Sequence, residues 1–107
     1  MNEDKELLTL AAKAAGYDET QTCVNEWFWE LTDDNDWHPW NPLTDDGDAL
    51  RLAVKLDMNI EVWNPFKEVW VVAEGYDVIE EPWGEDKLAA TRRAIVRAAA
   101  EIGRGME

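Results

Sequence analysis

The sequence predicts an α+β domain in which a small three-stranded sheet is covered by three helices, in the order α-β-α-β-β-α. Three observations lead there. Apolar residues recur at three- and four-residue steps in three segments, near 4–15, 44–56 and 86–102. Two-residue alternation marks 59–64 and 68–73, while 22–31 is rich in Thr, Val, Trp and Phe and holds neither Gly nor Pro. The length of 107 residues suits one domain, 1–107, and such a chain buries roughly two-thirds of its unfolded surface.

The first helix, 4–15, sets Leu7, Leu8, Ala11, Ala12 and Ala15 on one stripe, and Gly16 supplies a stop that tolerates positive φ. In strand 22–31, Cys23, Trp27, Trp29 and Leu31 fall on one side and Val24, Glu26, Phe28 and Glu30 on the other. Residues 33–43 read as a loop, because Pro39 and Pro42 oppose a regular helix or a central strand. Thr44-Asp45-Asp46-Gly47-Asp48 opens the second helix, where acids complement the positive helix end and Thr44 or an Asp caps a free N–H. That helix runs to about Leu56, with Ala49, Leu52, Ala53 and Leu56 on one face and Leu50 and Val54 beside them.

Strands 59–64 and 68–73 form a hairpin around Asn64-Pro65-Phe66-Lys67, and strand 22–31 can pair with either of its edges. Residues 75–86, with Gly75, Pro82 and Gly84, read as irregular. The last helix covers about 86–102, with Leu88, Thr91, Ile95, Ala98, Ala99 and Ile102 as its stripe and Gly103 as its end. Helices on both sheet faces give an α/β/α sandwich, the arrangement expected; helices on one face would give two layers.

Charge narrows the function classes. Ten Lys and Arg stand against 24 Asp and Glu, a formal net charge of −14. The charge is segregated: −1 over 1–17, −16 over 18–86 and +3 over 87–107. Binding to phosphate backbones needs cations that release counterions, and an anionic membrane surface needs them too, so neither direct nucleic-acid nor membrane binding is expected. Cys23 is the single cysteine, so no internal disulfide or CxxC zinc pattern is available. No apolar run of about 18 residues occurs, and the acidic opening Met1–Glu6 is unlike the n-region of a signal peptide. A soluble cytoplasmic protein is therefore expected.

No catalytic apparatus or cofactor site is expected. His38 is the only histidine and sits among Asp34 and Asp36 without a partnered nucleophile. Cys23, mid-strand among acids, reads as a small core residue. Asp33, Asp34, Asp36, Asp45, Asp46 and Asp48 could approach a hard cation, but the spacing of a calcium loop is missing, and helix capping accounts for Asp46 and Asp48.

The segment Trp40-Asn41-Pro42-Leu43-Thr44-Asp45-Asp46-Gly47-Asp48-Ala49-Leu50-Arg51-Leu52-Ala53-Val54-Lys55-Leu56 resembles the core motif of the phage ABA sandwich domain family. The stretch from Ala90 through Thr91-Arg92-Arg93-Ala94-Ile95-Val96-Arg97-Ala98 to Gly103 is similar to its C-terminal helix, and Glu6–Gly16 to its opening helix. The resemblance implies a small phage- or prophage-encoded protein with an α/β/α arrangement. It implies no enzymatic activity and carries over no catalytic residue.

Seven tryptophans remain to be placed. Trp27, Trp29 and either Trp63 or Trp70 read as core or sheet-face residues, and Trp40 as a core plug beside Asn41-Pro42. Trp37 and Trp83 lie among acids and prolines, where an indole can anchor a partner. Two acidic stretches carry them: Asp33, Asp34, Asp36 and Trp37, and then Glu80, Glu81, Trp83, Glu85 and Asp86. If the two converge, they make one acidic, Trp-bearing patch for a protein partner with a basic surface, such as a host nucleic-acid-binding protein. The function expected is inhibition of a host nucleic-acid-handling or defence protein, of the anti-CRISPR or anti-restriction kind. Alternatives are an accessory or assembly protein that binds another phage protein, and a small metal-dependent enzyme. A homodimer through an exposed Trp stays open.

Overall fold

The computed structural model describes residues 2–16, 29–31, 37–63 and 65–106. Helix α1 spans Asn2–Ala15 and ends where Gly16, at φ 88°, turns its N–H back to the Lys13 carbonyl. Helix α2 spans Asp46–Lys55 with Asp45 as its N-cap, and α3 spans Lys87–Gly105 with Asp86 as its N-cap. In both caps the Asp carboxylate accepts from the third backbone N–H beyond it, satisfying a donor the helix cannot.

Strands β3 (Asn59–Trp63), β4 (Glu68–Val72) and β5 (Ile79–Pro82) form an antiparallel sheet in that order. The class is the expected one, α+β with three helices and a three-stranded sheet, but the third strand is β5. Segment 75–86 thus contains a strand where none was expected. Its Pro82 and paired glutamates disfavour a central strand, yet an edge position makes no demand on the Pro nitrogen. The described end of the expected first strand, β1 (Trp29–Leu31), instead pairs antiparallel with β2 (Trp37–Pro39), with Glu30 opposite His38. β2 lies in the segment expected to be loop; in a two-stranded ladder each strand is an edge, so Pro39 is tolerated. Cys23, Trp27 and most of the expected strand 22–31 lie outside the described residues.

The core explains the layering. Val69 and Val71 of β4 are fully buried beneath α3, which lies against β4 and β5. Helices α1 and α2 pack on α3, so among the described residues the helices gather on one face of the sheet and do not bracket it as the expected α/β/α sandwich would. α3 is therefore surrounded, and its buried residues are mostly small: Ala90, Ala94, Ala98, Ala99, Ala100 and Gly103, with Ile95 and Val96. Alanines bring helix axes close, and α1 answers with Ala11, Ala12 and Ala15. Gly103 was expected to end α3. The helix runs through it to Gly105, and the residue is glycine because a Cβ there would clash with the Leu10 backbone. The glycine serves close approach. Leu88, expected on the stripe, is exposed.

Among the described residues, no helix is long and apolar enough to cross a membrane.

Candidate functional site

Three acidic neighbourhoods compete for a functional role, and their hydrogen bonds separate them. The first is Trp40–Arg51. Trp40 is buried in the core, as expected, and Pro42 is fully buried beside it. The Asn41 carboxamide oxygen accepts from the Leu43 N–H at 3.0 Å, and its carbonyl oxygen accepts from the N–H groups of Thr44 and Asp45. Asp48 is the one buried charge among the described residues. One oxygen accepts from the Asn41 N–H at 2.9 Å and the other from Arg51 Nη2 at 2.6 Å. Asp46 pairs with Arg92 Nη1 at 2.6 Å, while Arg92 Nε donates to the Leu43 carbonyl at 2.8 Å. These carboxylates hold a loop onto a helix start and onto α3. Both oxygens of Asp48, and one each of Asp45 and Asp46, are engaged in hydrogen bonds, capping or ion pairing. Among the described residues, no group of three His, Cys, Asp or Glu is placed to hold a metal ion.

The second neighbourhood is Glu80–Asp86, which divides by face. Glu81 lies beneath α3 and pairs with Arg97 Nη1. Asp86 caps α3, accepting from the Ala89 N–H at 3.0 Å. Trp83 is half-buried and packed against the core; its backbone N–H extends the β4–β5 ladder to the Lys67 carbonyl at 2.9 Å. Its indole Nε1 is buried without a hydrogen-bond partner among the described residues. Lys87 Nζ lies 4.3 Å from the ring centroid, within cation–π range. Only Glu80 and Glu85 are exposed and outside such roles. Asp33, Asp34 and Asp36 lie outside the described residues, and of Trp37 only its place at the start of β2, opposite Leu31, falls within them.

The third neighbourhood is the sheet face turned away from α3. Register sets Glu61, Trp70 and Glu80 in one row across β3, β4 and β5. Direct cross-strand neighbours share a face, so Trp70 lies between two glutamates. Glu61 and Glu80 are exposed and Trp70 is half-buried. Glu68, two residues along β4 on the same face, accepts from Trp70 Nε1 at 3.1 Å. Three carboxylates thus surround one indole on a face that α3 does not cover. Glu61, Glu68 and Trp70 were not singled out as partner-binding residues. The signal was present: they occupy the non-apolar phase of adjacent alternating strands, opposite Ile60, Val62, Val69 and Val71.

The basic residues behave differently from the +3 that the C-terminal segment suggests. All five arginines are ion-paired within the chain: Arg51 to Asp48, Arg92 to Asp46, Arg93 to Asp4, Arg97 to Glu81 and Arg104 to Glu101. Three of them reach from α3 to other elements. The helix supplies counter-charge to its neighbours and leaves Glu61, Glu74, Asp77, Glu80 and Glu85 exposed, with no ion pair among the described residues.

No protein-family model, curated protein or solved structure matches the chain.

Proposed function

We propose that this chain is a non-enzymatic binding protein whose acidic surface occupies a basic groove on a protein that handles DNA or RNA, and thereby inhibits it. The observation that carries the reading is the internal consumption of every arginine. The surviving exposed charge on the sheet face and the β4–β5 loop is acidic, and on the sheet face it flanks Trp70. Such a surface accelerates encounter with a cationic patch, while an indole contributes contact area once water is excluded. The setting proposed is the cytoplasm of a phage-infected host cell. It rests on the resemblance of 40–56, 90–103 and 6–16 to the phage ABA sandwich family. Counter-defence, of the anti-CRISPR or anti-restriction kind, is the corresponding role.

The test uses the tagged full chain and a Glu61→Lys, Glu80→Lys, Glu85→Lys variant as baits in host lysate, with retained proteins identified by mass spectrometry. The expected result is a nucleic-acid-handling protein that the wild-type chain retains, that added duplex DNA or high salt releases, and that the variant does not capture. Identical capture by wild type and variant overturns the reading. Capture of phage structural proteins alone from infected lysate replaces it with an assembly role.

A further inference from the structure

The two edges of the β3-β4-β5 sheet are not equivalent. At β5, Pro82 has no N–H to offer, and Arg97 Nη1 reaches the Glu80 carbonyl at 3.4 Å as well as the Glu81 carboxylate. That edge is blunted by devices that commonly protect sheets. At β3 none of them is present. Asn59–Trp63 contains no proline or lysine, and among the described residues it pairs with β4 alone. Asn59, Ile60, Glu61 and Val62 are all exposed. Ile60 and Val62 share the helix-side face with Val71 and Val69, but α3 lies over β4 and β5 and leaves them 36% and 51% exposed. Glu61 stands on the opposite face, at the end of the row that continues through Trp70 to Glu80.

We propose that β3 is the docking edge, and that its occupant is an extended, basic segment of a partner protein which adds as a fourth strand. This rests on the binding reading above and names how the partner enters. A strand beside β3 would place alternate side chains next to Ile60 and Val62 and the intervening ones next to Glu61. Apolar residues fit the first set. Lysine or arginine fits the second, because Glu61 and, across Trp70, Glu80 present negative charge on that face. The same charge discourages a second copy of this chain. Antiparallel pairing of two β3 strands about Glu61 would oppose two glutamates, and each chain carries −14.

The probe is a synthetic octapeptide of alternating lysine and valine, titrated into the intact protein by calorimetry, with amide hydrogen exchange read at 59–63. Two control peptides carry N-methyl groups on one or the other alternate set of amides, which removes strand pairing and keeps the charge. The expected result is binding of the parent peptide, slowed exchange in β3, and about tenfold weaker binding both for at least one methylated peptide and for Glu61→Lys. Equal binding of all three peptides overturns the edge and leaves the acidic-surface reading standing, since charge alone then suffices. No binding of the parent peptide overturns strand addition, and the lysate capture decides the broader reading separately. Sedimentation of the protein alone as a dimer in which exchange at 59–63 is already slowed also overturns it, in favour of a second copy at β3.

Discussion

Gly103 of α3 lies against the backbone of α1 at Leu10: a Cβ built on the glycine would meet the Leu10 carbonyl oxygen at 2.0 Å and its carbonyl carbon at 2.8 Å. Backbone atoms cannot swing aside as a flexible side chain can, so even a methyl group forces the helices apart. An alanine in mid-helix is ordinarily favoured over glycine by about 1 kcal/mol. Here the sign reverses. Gly103→Ala is expected to cost about 3 kcal/mol or more, beyond the usual range for modest overpacking. Urea unfolding measures it. A loss under about 1 kcal/mol would mean that the two helices cross with room to spare.

Asp48 gives a second prediction, because its two oxygens do different work. One accepts from the Asn41 N–H and the other from Arg51, whose side chain is 64% exposed while that of Asp48 is 6% exposed. Removing the carboxylate strands a part-buried backbone donor and frees the loop from the helix start. Asp48→Ala is expected to cost about 2–3 kcal/mol. Arg51→Ala leaves the Asn41 bond intact but takes the counter-charge from a buried carboxylate, so it should cost about 1–2 kcal/mol, less than Asp48→Ala. Equal losses in the two variants would show that the ion pair, not the backbone contact, holds the loop.

Trp83 was expected to anchor a partner, and its surroundings make a stability test informative. The ring packs on the core and under Lys87, while Nε1–H is buried without a partner among the described residues. An unsatisfied buried donor is unfavourable, so deleting it offsets part of the lost ring. Trp83→Phe should therefore change stability by less than about 1 kcal/mol, while Trp83→Ala should cost about 3 kcal/mol. Lys87→Gln should cost about 0.5–1 kcal/mol through the cation–π contact. A phenylalanine as costly as the alanine would indicate that the indole N–H is in fact satisfied.

What could be read from the sequence follows from which signals are local. Periodicity located all three helices, and the acids at 44–48 marked a helix start, but the cap is Asp45 and not Asp46 or Asp48, and Asp86, read as a partner-binding residue, caps the last helix. The hairpin 59–73 was equally legible. Strand β5 was not, because Glu80, Glu81 and Pro82 have low strand propensity and are held by tertiary partners, Trp70, Val69, Glu68 and Arg97. Gly103 misled for a related reason: a helix stop and a close helix crossing require the same residue, and only the position of Leu10 distinguishes them. Acidic stretch 80–86 was visible as composition. Its division into Glu80 outward, Glu81 under α3 and Asp86 as a cap depends on register, which one-residue steps invert.

That division yields the last prediction. Glu61 and Glu80 are exposed and outside any ion pair among the described residues, so reversing them should leave stability within about 0.5 kcal/mol of wild type. Glu81 lies on the other face, its side chain 16% exposed and paired with Arg97. A lysine there would meet the Arg97 guanidinium in place of its counter-charge, so Glu81→Lys should cost about 2 kcal/mol. Partner binding is expected to sort the same variants in the opposite way. The wild-type association rate should fall as salt rises, since exposed charges are screened beyond about 8–10 Å. The Glu61→Lys, Glu80→Lys double variant should associate more slowly and lose most of that salt dependence, with dissociation little changed. Glu81→Lys, compared where it remains folded, should keep the wild-type salt slope. Stopped-flow association at several ionic strengths separates the cases. A slope unaltered by the double variant would remove the sheet face from the interface and return Glu61 and Glu80 to plain solvation.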